Sequence, residues 1–154
     1  QYIGVISKLL PSAKIIFCYR NPLDNILSIY RSHFSHGNHY SNSLIDISKV
    51  YVHHRELVNQ YTNDLSLNVY NLNYDELVID PKKTIMDLIE WLGWEWSSSY
   101  LSPNTSERSI QTASSVQARM PINSKSLGGW IAYKDMLSPA IEFIKNSSIS
   151  NLLS

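Results

Sequence analysis

The sequence predicts an α/β fold in which a parallel sheet is flanked by helices. Residues 15–19 form a short, unbroken apolar run, which is typical of a strand buried on both faces of a parallel sheet. A second strand is predicted over residues 67–74. Apolar residues at three- and four-residue spacing predict helices before, between and after these strands, and this alternation indicates parallel pairing.

Length and charge limit the classes of protein to which the chain can belong. Its 154 residues are enough for one domain with an apolar core, and we predict a single domain over residues 1–154. Lys and Arg number 13 and Asp and Glu number 13, so the formal net charge is zero. That balance argues against a general binder of nucleic acid or of anionic membranes, so any anion site must be local.

The single cysteine, Cys18, cannot form a disulfide within the chain, and no apolar run is long enough to span a bilayer. We therefore expect a cytoplasmic protein without a disulfide framework. The chain begins at Gln1 and reaches core-like residues almost at once, so we interpret it as part of a longer protein.

In the first half of the chain, a short helix over residues 2–10 is expected to lead into the first strand. Asn21 and Pro22 suit the N-cap and first turn of a helix that should run to about Phe34. The polar residues 35–42 predict a loop. Its histidines have no acidic or cysteine partner at ligand spacing, so we predict no metal site.

The middle of the chain begins with a long amphipathic helix over residues 44–65, which is followed by the strand over residues 67–74. Asp80 is a suitable N-cap, Pro81 a suitable first helical residue, and Gly93 is placed to end that helix.

The C-terminal third is rich in small polar residues. Ser, Thr and Asn dominate residues 97–115 and predict a loop, and a closing helix is predicted between Trp130 and Ile144. The Asn- and Ser-rich tail over residues 146–154 is predicted to be frayed.

Arg20 is the first candidate binding residue, because it stands where the first strand should end and a helix should begin. Ligands of open α/β sheets bind outside the carboxyl ends of strands and near helix N-termini, so Arg20 and Ser28 should lie near such a crevice. The same spacing is equally typical of a strand–turn–helix whose arginine pairs with a nearby acid. From spacing alone, both interpretations stay open.

Three segments resemble sulfotransferases that use 3′-phosphoadenosine 5′-phosphosulfate (PAPS). Residues 20–28 resemble the family's R-x-P-x-D-x-x-x-S element, and residues 74–93 resemble its Y-E-D-L-V-x-D-P…L-x-F-L-G segment. Residues 112–130 resemble its T-A-S-x-x-Q-V-R-x-P-I-Y loop followed by S-V-G-R-W. The likeness is closest to bacterial tetratricopeptide-linked sulfotransferases and more distant to tyrosylprotein sulfotransferases. It implies a P-loop-NTPase-like sulfotransferase fold that is incomplete at its N-terminus.

The resemblance implies a nucleotide-binding role for eight residues. Arg20 and Ser28 would bind the 3′-phosphate of the donor, where a guanidinium fork matches phosphate oxygens. Tyr74 would lie against the adenine. Five residues of the closing loop would approach the phosphates: Ser114, Ser115, Gln117, Arg119 and Asn123.

Two positions depart from the family's pattern. Asn123 replaces an aromatic residue that is common in bacterial relatives, although tyrosylprotein sulfotransferases also have Asn there. Gly129 stands where relatives often carry Arg or Lys, which removes one donor to the nucleotide or the transition state. Lys125 is close enough in sequence to substitute for it.

By resemblance, the function is transfer of a sulfuryl group from PAPS to a hydroxyl or amine of a protein, carbohydrate or small molecule, without a metal. This chain would carry the 3′-phosphate- and adenine-binding half. The phosphosulfate loop and the catalytic base are expected upstream of Gln1, where tetratricopeptide repeats would also lie, so the chain alone should be inactive. The alternative is a catalytically inactive nucleotide-binding or partner-binding α/β module.

Overall fold

The computed structural model describes residues 2–32, 34, 37–64, 68–102 and 121–153. Helices lie before, between and after two parallel strands, so the fold class is α/β, as predicted. The elements are α1 (Ile3–Leu9), β1 (Ile15–Tyr19), α2 (Pro22–Arg31), α3 (Leu44–Asp64), β2 (Val69–Asn73), α4 (Tyr74–Ile79), α5 (Pro81–Leu92) and α6 (Ser138–Lys145). Short 3₁₀ turns lie at His39–Asn42, Ser98–Leu101, Gly129–Tyr133 and Ser150–Leu153.

β1 and β2 form a parallel pair, in a register that runs from Ile15 opposite Val69 to Tyr19 opposite Asn73. Because the strands are parallel, their carboxyl ends lie at the same edge of the sheet. Arg20 and Tyr74, which follow the two strands directly, therefore lie at that edge together.

β1 is not buried on both faces, and that part of the prediction is wrong. Burial alternates along the strand, with Ile16 43% exposed and Cys18 also exposed. On the opposite face, Phe17 and Tyr19 are covered by Arg55 of α3. An unbroken apolar run makes burial of both faces favourable, but the neighbouring elements decide whether one face or two are covered.

The core lies where α2, α3 and α6 meet. Leu23, Ile26, Ile47 and Ile144 are almost completely buried there. The tail after Asn146 was predicted to fray, but its described part turns back onto this core and Ile149 is only 4% exposed. The tail packs on the core because burying one isoleucine stabilises the turn by about 1.5–3 kcal/mol. The Ser and Asn content of the tail does not reveal this contribution.

The predicted helix ends at Asn21, Asp80 and Gly93 are confirmed. Asn21 Oδ1 accepts a hydrogen bond from the Leu23 amide at 2.9 Å, and Asp80 Oδ1 accepts one from the Lys83 amide at 3.1 Å. Gly93 ends α5 with a φ of 72°, a backbone conformation that favours glycine. α2 ends at Arg31 rather than near Phe34, because the backbone is already extended at Ser32.

Candidate functional site

A cleft of about 410 Å³ lies between α2 and the turn before the 3₁₀ segment Gly129–Tyr133. We call it the cationic cleft, because three cationic side chains line it together with one carboxylate. Its lining residues are Arg20, Asp24, Leu27, Ser28, Arg31, Ser32, Lys125, Ser126 and Gly129. Four of these nine residues belong to α2, Arg20 and Ser32 flank it, and the last three come from a segment about a hundred residues later in the chain.

Arg20 lines this cleft, and its side chain is 18% exposed. Arg20 Nη2 donates a hydrogen bond to the Ser126 carbonyl at 2.7 Å and lies 3.7 Å from Asp24 Oδ2. The guanidinium carbon is 5.4 Å from the centroid of the Tyr74 ring. Arg20 Nε is buried without a hydrogen-bond partner in the part of the chain that the structure describes, so the guanidinium keeps donor capacity there for another acceptor.

The backbone that presents Arg20 is held from two sides. The Tyr51 hydroxyl donates to the Arg20 carbonyl at 2.6 Å, and the Asn21 amide donates to Asp75 Oδ2, also at 2.6 Å. Burial raises the pKa of Tyr51 to about 12, so its hydroxyl stays protonated and available as a donor near neutral pH. The turn between β1 and α2 is therefore attached both to α3 and to the residues that follow β2.

Asp24 joins α2 to the far wall of the cleft. Its carboxylate is 4% exposed, and it accepts hydrogen bonds from the Gly128 amide at 2.8 Å and the Trp130 amide at 3.0 Å. These two amides and Arg20 contact the carboxylate, and the lining holds three cations against this single carboxylate. The cleft consequently has an excess of positive charge.

Sequence reasoning placed Arg20 and Ser28 in one crevice, and both line the cationic cleft. Both interpretations of Arg20 agree with its position, because it lies in the crevice and also pairs with Asp24. What these two residues bind stays a prediction.

Tyr74 contacts Arg20 but does not line the cleft. It is the first residue of α4, not the end of a strand, because Asn73 Oδ1 accepts from the Asp75 amide at 3.0 Å and starts a helix there. Asn123 is exposed and also outside the lining; it holds its own turn through the Pro121 carbonyl at 3.0 Å and the Lys125 amide at 3.2 Å. Ser114, Ser115, Gln117 and Arg119 lie outside the described residues, and their assignments stay predictions.

Sequence reasoning missed Arg31, Ser32 and Ser126 as cleft residues, and it quoted Asp24 without giving it a role. Arg31 had a usable signal, because it follows Ser28 by three residues and so shares its face of α2. Ser126 and the bonds of Asp24 had none, because they depend on contacts between residues more than a hundred positions apart.

Among the residues that the structure describes, no group of three or more His, Cys, Asp or Glu side chains is arranged to hold a metal ion. Nor does any described helix combine the length and apolar character needed to cross a membrane.

Two comparisons with known proteins bear on this site. Residues 1–98 match the model of the sulfotransferase family. An uncharacterized protein of Aquifex aeolicus (strain VF5) is 30% identical over 148 residues, which cover 94% of this chain and 19% of that protein. The chain thus spans about a fifth of the length of this relative.

Proposed function

The chain belongs to the sulfotransferase family, and on that premise we propose that the cationic cleft binds the 3′-phosphate of PAPS. The protein would transfer a sulfuryl group from this donor to a hydroxyl or amine of an acceptor. The proposal assigns this chain to the half of the domain that holds the nucleotide. We also propose that the protein is cytoplasmic and that it belongs to the tetratricopeptide-linked branch of the family.

The observation that carries the proposal is the convergence of Arg20, Arg31, Lys125 and Ser28 on one cleft. A phosphate monoester carries about 1.5 to 2 negative charges near neutral pH and has three acceptor oxygens. Three cations and a hydroxyl match that charge and those acceptors, whereas the carboxylate in the cleft is occupied by other donors.

Within this proposal each residue has a distinct task. Arg20 would donate to phosphate oxygens from its guanidinium fork, which the stacked Tyr74 ring and the Ser126 carbonyl orient. Lys125 and Arg31 would supply charge from the two opposite walls. PAPS would supply the sulfuryl group, which leaves its phosphate oxygen for the acceptor oxygen or nitrogen while the acceptor loses a proton. The contribution of this chain is therefore to hold the nucleotide in place for transfer.

A second candidate function is a nucleotide-binding module without activity. Gly129 favours it, because a residue without a side chain forms part of the cleft wall where relatives often carry a cation. A turnover assay on the full-length protein with PAPS separates the two: binding without turnover would favour the inactive module.

The direct test compares two nucleotides on the Arg20→Ala variant of the full-length protein. We expect adenosine 3′,5′-bisphosphate to bind more weakly by about 1.5–3 kcal/mol, the scale of a hydrogen bond to a charged group. Adenosine 5′-phosphosulfate, which lacks the 3′-phosphate, should lose much less. Isothermal titration calorimetry gives both affinities.

The matched control is Lys49→Ala, which removes an equal charge from an exposed residue of α3 outside the cleft. It should leave both affinities unchanged. Equal losses of affinity for the two nucleotides in Arg20→Ala would mean that Arg20 does not bind the 3′-phosphate.

A further inference from the structure

A second cleft, of about 240 Å³, lies between β1 and α3. Four of its eleven lining residues are Phe or Tyr, namely Phe17, Tyr19, Tyr40 and Tyr51. We call it the aromatic cleft. None of its lining residues lines the cationic cleft.

Helix α2 separates the two clefts. Asp24, Ser28 and Arg31 face the cationic cleft, whereas Asn25 and Ile29 face the aromatic one. At 100° per residue these sets lie on different faces of the helix. The two clefts therefore have separate linings, and what the aromatic cleft binds does not depend on the function proposed for the first.

Arg55 is the cation of the aromatic cleft. Its guanidinium carbon is 4.1 Å from the centroid of the Tyr19 ring and 5.3 Å from that of Phe17. Arg55 Nε and Nη1 are both buried and have no hydrogen-bond partner among the described residues. A buried donor without a partner costs about 1–3 kcal/mol, and more when it is charged, so this side chain is stabilised by any acceptor that reaches it.

The described residues provide no such acceptor. No Asp or Glu is among the lining residues, and no described carboxylate lies within 4.0 Å of the Arg55 nitrogens. Asp75 acts electrostatically on Tyr51; its Oδ2 accepts from the Asn21 amide, and its Oδ1 is buried without a hydrogen-bond partner among the described residues. Neither oxygen lies within 4.0 Å of an Arg55 nitrogen. The positive charge of Arg55 is thus left without a paired anion.

We propose that the aromatic cleft binds a small aromatic anion, with its ring against the tyrosine and phenylalanine side chains of the lining and its anionic group on Arg55. The volume is below the range of about 300–1,000 Å³ that is usual for drug-sized ligands, so a single-ring ligand fits the cleft best. Aromatic walls favour a ring through stacked or edge-to-face contacts, and the guanidinium selects a carboxylate, sulfate or phosphate on that ring.

The test uses benzoate as the probe with two partial analogues. Benzyl alcohol keeps the ring without the charge, and acetate keeps the charge without the ring. Titration of the full-length protein, followed by amide chemical shifts, should give benzoate an affinity at least about tenfold above either analogue. The shifts should be largest at the backbone amides of Phe17, Tyr19 and Arg55. Equal affinities for benzoate and benzyl alcohol, or shifts confined to other residues, would overturn the proposal.

Arg55→Met should weaken benzoate by about 10- to 100-fold. The control Lys49→Met removes an equal charge from an exposed position of the same helix and should have no effect. Equal losses of benzoate affinity in the two variants would mean that only the overall charge of the protein matters, and they would overturn the proposal. If Arg55→Met does not fold, the shift map of the unmodified protein decides alone.

A competition experiment separates the two clefts. Adenosine 3′,5′-bisphosphate at saturation should leave the benzoate affinity unchanged, because helix α2 lies between the sites. Displacement of benzoate by the nucleotide would put the ring in the cationic cleft and contradict the inference. Failure of the nucleotide to bind would count against the proposed function and leave this inference standing.

Discussion

The half of the molecule built from α2, α3 and α6 buries its apolar side chains far more completely than the half built on α4 and α5. In the first half, Leu23, Ile26, Ile47 and Ile144 belong to one cluster of almost fully buried residues. In the second half, Val78 and Ile89 are buried, but Trp94, directly after α5, is 61% exposed. The cationic cleft is built on the first half.

This difference shows where the proposed binding geometry gains its rigidity. Arg20 follows a strand, but the contacts that fix it come from the Tyr51 hydroxyl on α3 and from the loop held by Asp24 on α2. A closely packed helical layer transmits small displacements, so changes in that layer should reach the cleft. Changes in the α4–α5 half should reach it less.

The largest expected effect tests the comparison directly. Ile144→Ala should lower the free energy of unfolding by about 2–5 kcal/mol, because it leaves a cavity in a fully packed cluster. Ile89→Ala, on α5, should cost about 2 kcal/mol or less, since the looser surroundings can collapse around it. Urea unfolding of both variants measures this, and equal losses would contradict the difference between the two halves.

A smaller effect is expected at the link between α2 and the cleft wall. Asp24→Ala leaves the Gly128 and Trp130 amides without their acceptor and Arg20 without its ion-pair partner, at a cost of about 2–4 kcal/mol. Both amides should exchange hydrogen faster. The exposed Asp135 of the same region offers a control, and Asp135→Ala should leave those exchange rates as they are. Unchanged exchange in Asp24→Ala would show that Asp24 does not hold the loop.

Replacing Tyr51 should have the smallest effect on stability at neutral pH, and this effect should depend on pH. Tyr51→Phe removes the hydrogen bond to the Arg20 carbonyl, which should cost about 0.5–1.5 kcal/mol. Burial raises the pKa of Tyr51 to about 12 in the folded protein, above the value of about 10 expected in the unfolded chain. Its stabilising contribution is therefore complete below about pH 10 and is lost as the pH rises towards 12.

Thermal unfolding between pH 8 and 12 checks this point. The Tyr51→Phe variant should lose less stability than the unmodified protein over the alkaline part of that range. Tyr30→Phe alters an exposed tyrosine of α2 and is the appropriate control. If the alkaline loss of stability is the same in both variants, Tyr51 is not its source.

Local signals explain what could be predicted from the sequence. Asn21, Asp80 and Gly93 act on residues next to them, so the helix ends that they set could be predicted correctly. The strands were predicted for the same reason, because an apolar run and its flanking turn residues are contiguous.

The features that were missed depend on distant parts of the chain. The exposed face of β1, the burial of Ile149 and the bonds of Asp24 are all decided by residues far away in sequence. Only the cleft in the structure identifies Arg31 and Ser126 as candidate site residues. Strand and helix positions placed Arg20 and Ser28 near one crevice and the family resemblance supplied their ligand, which stays a prediction.

The distances along the chain between these partners also have a consequence for the order of folding. The Asn21 amide meets an acceptor 54 residues later, and the Asp24 carboxylate meets the Gly128 amide 104 residues later. Closing such long loops is slow compared with forming a helix such as α3, whose hydrogen bonds are local. We therefore expect the cleft to form late, after α2 and α3 exist, and a partly synthesised chain that ends before Gly128 lacks part of the cationic cleft. A nucleotide that binds there would slow unfolding, but it would leave the rate of folding almost unchanged.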